Sequence, residues 1–317
     1  MNKSLIGIST CFRPGYDPKT DRQKYFQLVN PFLNSLSAIS ETGARYIELS
    51  GLPVEFTTGE IEDRLNEMNL KVLSAHNYID EMLFNPADRY GDDLASPNDV
   101  KRNVAIERTI KSAKRLKQLK GKVLVLHPGS ITEARGRNEF WKTVSDVISR
   151  KASYEDYKNK IMKIRNEFSS YYLESLTKSL EALIDSEKDI VFALECRNYP
   201  YELPNARELK LILDEFRGKN ISYWHDCGHA FFNELLGFYK QQEILDASKT
   251  RLIGFHIHDV KIHDHQVPGT GLLDWNFLKT YIERAKYLII EVAPDTPYND
   301  LKKGFDFARK LIHNGDL

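Results

Sequence analysis

The sequence predicts a single (β/α)8 TIM barrel spanning residues 1–317, on three observations. Eight short apolar, β-branched runs alternate with longer stretches of helical spacing. The runs are almost continuously apolar, as strands buried on both faces of a parallel sheet are. The length of 317 residues also suits eight strand–helix units.

In chain order the runs are Leu5–Ser9, Arg45–Leu49, Lys71–Ala75, Lys122–Leu126, Asp189–Leu194, Ile221–Trp224, Leu252–Ile257 and Tyr287–Ile290. Between them, stretches such as Val100–Gln118 and Asn205–Phe216 place apolar residues at i, i+3 and i+4 with charges on the other face. A doubly wound open sheet would need a Gly-rich phosphate turn after the first strand, and GISTCFRPG is not one. The connection from His127 to Lys188 exceeds a simple crossover. It carries two helical patterns, near Glu139–Arg150 and Tyr154–Ile184, and is expected to form an extra helical excursion after strand four, over the barrel mouth.

Composition narrows the class. Hydrophobic residues at 41% and charged residues at 28% exclude a disordered chain. With 45 basic and 45 acidic residues, the chain lacks the bulk charge that holds a protein on nucleic acid or an anionic membrane. Cys11, Cys196 and Cys227 are too scattered for a disulfide framework or a zinc-finger pattern, which points to a reducing compartment. The opening MNKSLIGISTCFRPG lacks the apolar core of a secretory signal, and no apolar run is long enough to span a bilayer. A cytoplasmic protein with no membrane partner is expected.

Chemistry concentrates at the strand ends. Of the nine histidines, all but His313 fall at or just past the C-terminal end of a strand run or in the turn that follows. His76 and His127 follow runs three and four, and Glu195 ends run five. Asp226 and His229 follow run six, His256 and His258 lie in GFHIHD, His263 and His265 come just after, and Glu291 ends run eight. In a parallel barrel these ends open on one mouth. Gathering so many ionisable groups there is costly unless a cation compensates them, so a divalent metal centre is expected. Imidazole and carboxylate donors without cysteine suit zinc or manganese first, with cobalt, iron or magnesium also compatible. Glu195, Asp226, His256 and Glu291 form the expected core ligand set. His76, His127, His229, His263 and His265, with Asp264 as an alternative to His263, are candidates for further ions or for substrate hydroxyls. Arg197, two residues beyond Glu195 on the same face, and His258 are expected to meet substrate. His225 and Asp259 are read as residues that orient ligands. Glu48, at the end of run two, either faces the mouth or, the favoured reading, forms a structural ion pair.

These motifs, taken together and in order, resemble the xylose isomerase-like barrel superfamily, which groups sugar isomerases and epimerases with endonuclease IV-type abasic-site endonucleases. The resemblance rests on ALE at Glu195, HDCGHA at 225–230, FHIHD at 255–259, the following DHQVPGTG, and IIEV at Glu291. From the sugar branch it implies a metal-dependent isomerase or epimerase of a sugar or sugar-like polyol. Glu195 and Glu291 would then be the catalytic pair, passing a proton at carbon through an enediolate. From the endonuclease branch it implies a multi-zinc phosphodiester hydrolase acting on abasic DNA or a small phosphate ester, favoured by SAHNYID, HPGS and the D-x-x-H-A-F run. Three departures count against that branch. Ile79 stands where a DNA-contacting Tyr is expected, His263–His265 replaces an Asp-x-His pair, and CRNYPYELP replaces a Gly-rich stretch. A small carbohydrate is therefore the expected partner, nucleic acid the partner under the alternative, and a homo-oligomer the expected assembly.

Overall fold

The computed structural model describes residues 4–17, 19, 28–53, 55–79 and 93–312. Eight parallel strands close into a barrel in sequence order, β1 pairing with β8. They are β1 (Leu5–Ser9), β2 (Tyr46–Leu49), β3 (Lys71–His76), β4 (Val123–Leu126), β5 (Val191–Glu195), β6 (Ile221–Asp226), β7 (Leu252–Ile257) and β8 (Tyr287–Ile290). Each expected run becomes a strand. β3, β5 and β6 run on past the expected ends to include His76, Glu195 and Asp226, because ladder pairing continues there despite the polar side chains, as in Asp226 opposite His256.

The helices are α1 (Val29–Glu41), α2 (Thr58–Glu67), α3 (Asp99–Gln118), α4 (Arg137–Ile148), α5 (Glu155–Ser186), α6 (Ala206–Glu215), α7 (Cys227–Leu235), α8 (Gln241–Ser248), α9 (Trp275–Ile282) and α10 (Tyr298–Ile312). Sequence signals set several starts. Thr57 with Glu60 and Asn205 with Glu208 form capping boxes, and Asn98 caps α3. The expected excursion after β4 is present as α4 followed by α5. The second of these, 32 residues or about 48 Å long, packs along α3. Arg165 on α5 grips Glu208 on α6 through two bonds of 2.6 and 2.7 Å and donates to the carbonyl oxygens of Pro200 and Glu202.

The barrel interior is filled by Leu73, Val123, Val125, Ala193, Trp224, Tyr287 and Ile289. Trp224 takes so much of this space that a Cβ on Gly254 would lie 2.3 Å from its ring, so β7 must carry glycine there. A larger apolar layer fills the gap between strands and helices. The packed interior blocks one end of the barrel and leaves polar strand ends at the other. Two register shifts, at Ile47/Glu48 and Tyr223/Trp224, adjust β2 and β6 just before their acidic ends. Among the described residues no helix is long and apolar enough to cross a membrane.

Candidate metal centre

His256 is the hub of the mouth. Its Nδ1 lies 2.7 Å from Glu195 Oε1, 3.2 Å from Glu291 Oε2 and 3.7 Å from Asp226 Oδ2. The four residues expected to share an ion, drawn from β5, β6, β7 and the end of β8, thus meet around one imidazole nitrogen. Its other nitrogen, Nε2, is 2.9 Å from Glu48 Oε1, and Glu48 also accepts from Ser74 Oγ at 2.8 Å. Glu48 therefore accepts from Nε2–H and turns Nδ1 toward the acids, as carboxylate–histidine pairs do behind metal ions.

Three groups of side chains among the described residues have ligand atoms within 4.8 Å of one another: His76, Glu195, His256 and Glu291; Glu195, Asp226 and His229; and His229, His258 and His265. His76 stacks on His256 with ring centroids 4.7 Å apart. His127 Nε2 lies 2.7 Å from Glu195 Oε2, and Arg197 Nη1 reaches the same oxygen at 2.7 Å. Arg197 Nη1 also stands 3.0 Å from His127 Nε2 and 3.4 Å from His229 Nδ1.

The outer residues divide. Asp264 Oδ1 is 3.0 Å from His265 Nδ1, and its Oδ2 is 3.7 Å from His229 Nε2 and 3.3 Å from Asn198 Nδ2. His263 is exposed and turns its ring to Trp141 of α4 at 5.0 Å. Of the two loop residues weighed for an outer ligand, Asp264 is the one the fold brings to the cluster. His258, expected to meet substrate, is fully buried, its Nε2 2.8 and 3.0 Å from the two Asp226 oxygens. Cys196 and Cys227 are buried on the helix side, as their alternation implies; Cys196 Sγ accepts from the Asp226 amide.

The electrostatics follow from burial and close pairing. Burial works against charge on Glu48, Glu195, Asp226 and Glu291, yet all four are held below the usual carboxylate range by the cations and imidazoles around them. The price of this arrangement falls on the histidines. Burial opposes charge on His256, but Glu48 and Glu291 outweigh it and draw the ring well above its ordinary value. His229 goes the other way, pushed down to about 4 by burial. A proton on His256 Nδ1 occupies the point where the carboxylates converge, which is where a divalent cation would serve them all. His76 Nδ1 lies 3.1 Å from Glu48 Oε1. Paired acids and imidazoles with no thiolate fit a divalent ion with mixed nitrogen and oxygen ligands.

Glu48 forms the ion pair its sequence suggests, with His256 and His76, and does so inside the cluster. Asp259 organises the loop after β7: its carboxylate accepts from the amides of Val260, Gly269 and Leu273 and from Trp275 Nε1, at 2.8 to 3.2 Å. That role depends on a loop conformation that one position in a sequence does not reveal.

The profile of the xylose isomerase-like TIM barrel family matches residues 36–311. No curated protein matches the chain. Its structure is similar to that of 3-keto-D-glucoside 4-epimerase from E. coli, with TM-score 0.64 and 15% identity over 97% of this chain and 100% of that one. It is similar to a D-tagatose 3-epimerase-like protein, with TM-score 0.63 and 16% identity over 98% and 97%. It also resembles an AP endonuclease, family 2, from Brucella melitensis, with TM-score 0.63 and 14% identity over 96% and 98%. At such identities the structural likeness is one of fold. The closed parallel barrel and a profile match over most of its length agree: this chain belongs to the xylose isomerase-like TIM barrel family.

Proposed function

We propose that the chain is a divalent-metal-dependent isomerase or epimerase of a sugar or sugar-like polyol. The observation that carries this reading is the meeting of Glu195 and Glu291 at His256 Nδ1, at 2.7 and 3.2 Å. β5 and β8 stand three places apart round an eight-strand ring, so their carboxylates reach a common point from different sides. One can remove a proton from a substrate carbon and the other return one to the opposite face. Glu195, Asp226, His256 and Glu291 would hold the ion, with zinc or manganese best suited. When bound, it would polarise a carbonyl oxygen and make the neighbouring C–H more acidic. Glu195 is held anionic against the cost of burial by Arg197 and His127. Glu291, held by longer contacts, has more freedom to exchange a proton. Arg197 and His229 border the same space and would orient substrate oxygens. The epimerases among the similar structures support this class of substrate.

Proton exchange tests it. With a substrate found by screening ketoses and aldoses in deuterated water, Glu291→Gln should lower turnover by about 10² to 10⁴ while leaving the melting temperature near that of the parent. Undiminished deuterium incorporation at carbon would overturn the acid/base assignment.

One observation favours a second reading, a multi-zinc phosphodiester hydrolase. His76, His127 and Glu195 on one side, and His229, Asp264 and His265 on the other, could hold further ions. Metal analysis finding two or three zinc ions per chain, with cleavage of an abasic duplex, would select the hydrolase; one exchangeable ion and an untouched duplex would select the isomerase.

A further inference from the structure

We infer that His258 is a positioning residue that ties the loop after β7 to Asp226 and aims one Asp226 oxygen at the centre, and that it is neither a metal ligand nor a substrate contact. Both ring nitrogens are engaged. Nε2 faces the two Asp226 oxygens at 2.8 and 3.0 Å, so it carries the proton and donates. Nδ1 accepts the backbone N–H of His265 at 2.9 Å. The rival arrangement, Nδ1–H donating to the Asp259 carbonyl, has a longer separation of 3.3 Å and would set two N–H groups against each other at 2.9 Å. The Asp259 carbonyl loses little without it, since it also accepts from the Gln266 amide at 3.0 Å.

The surroundings are built for this ring. A Cβ on Gly228 would stand 2.2 Å from His258 Cε1, so residue 228 must be glycine while the ring is there. His265 holds φ at +57°, a left-handed conformation uncommon for a residue with a side chain, and stacks its ring on His258 at 4.4 Å and 5°. The Ala293 amide, two residues past Glu291, donates to the His265 carbonyl. Asp226 Oδ1 is thus held twice, by His258 Nε2–H and by the His229 amide at 2.7 Å. Oδ2 is left toward His256 Nδ1 at 3.7 Å and His229 Nδ1 at 3.4 Å. The consequence for metal binding rests on the centre proposed above; the hydrogen bonding does not.

The test has two arms. In the first, tautomer-sensitive ¹⁵N spectroscopy of the metal-free chain at neutral pH should find His258 protonated on Nε2 and bare on Nδ1; a proton on Nδ1 would overturn the inference. In the second, Mn²⁺ is titrated calorimetrically into chelator-treated protein. His258→Leu should weaken binding about 10- to 100-fold, and His258→Gln, which keeps an N–H toward Asp226, should restore most of it. Equal affinity of His258→Leu and the parent would overturn the inference even with the metal centre intact. Should the parent take up no Mn²⁺, the metal reading fails, and the tautomer alone decides the role of His258.

Discussion

Buried histidines of this barrel have opposite proton affinities, and one of them makes a prediction away from the mouth. His225, fully buried beside Tyr223 Oη at 2.8 Å, is pushed down to about 4, chiefly by burial. The unfolded chain, with a histidine near 6.5, binds that proton more readily, so the group's contribution to stability is present above pH 6.5 and lost as pH falls toward 4. Replacing it by Gln should flatten the acid side of the stability profile, by about 3 kcal/mol at most. Urea unfolding of both chains from pH 7 to pH 4 checks this; an unchanged acid slope would count against it. At this scale the strand-end residues were legible because a parallel barrel sends every such residue to one place. Glu48 reads from the sequence as a structural ion pair, but its partner, His256, lies 208 positions away and only the fold identifies it.

Helices and loops set the precision of that convergence. Asp226 illustrates it: the residue ends β6 and its Oδ1 caps α7 through the His229 amide, so one carboxylate fixes a helix start and its own place in the cluster together. Arg165 and Glu208 join α5 to α6 with both side chains almost fully buried. Removing one partner strands a charge, so Glu208→Leu should cost about 3–5 kcal/mol. Adding Arg165→Met should recover part of that loss, because the stranded charge goes too. Thermal or urea unfolding of the three variants measures it; additive losses would contradict the pairing. The strands and the longer helices were legible from periodicity, and α4 and α5 from two patterns in one overlong connection. The loop after β7 was not. Its turns depend on amides converging on Asp259 and on a positive φ at His265, and neither leaves a periodic trace.

At the scale of the whole molecule, the barrel brings acids and imidazoles from seven strand ends to one mouth, with Arg197 as a fixed cation among them. A bound divalent ion would stabilise the folded chain by mass action, at roughly 2.7 kcal/mol when free metal exceeds its dissociation constant a hundredfold. The melting temperature should therefore fall on chelation and recover on adding Mn²⁺ or Zn²⁺; a temperature indifferent to both would count against a shared cation. Sequence alone reached the barrel and the convergence of most candidate residues, since both follow from the same strand order. Side-chain geometry at the rim, such as the contact between Trp141 and His263, is not determined by strand order.

Anomalous diffraction from crystals of the chain grown with Mn²⁺ would decide whether the four strand-end residues share one cation. A peak bonded to Glu195, Asp226, His256 and Glu291 at about 2.0–2.3 Å is expected. A map with no peak among those four residues, in crystals where they keep the arrangement described above, would contradict it.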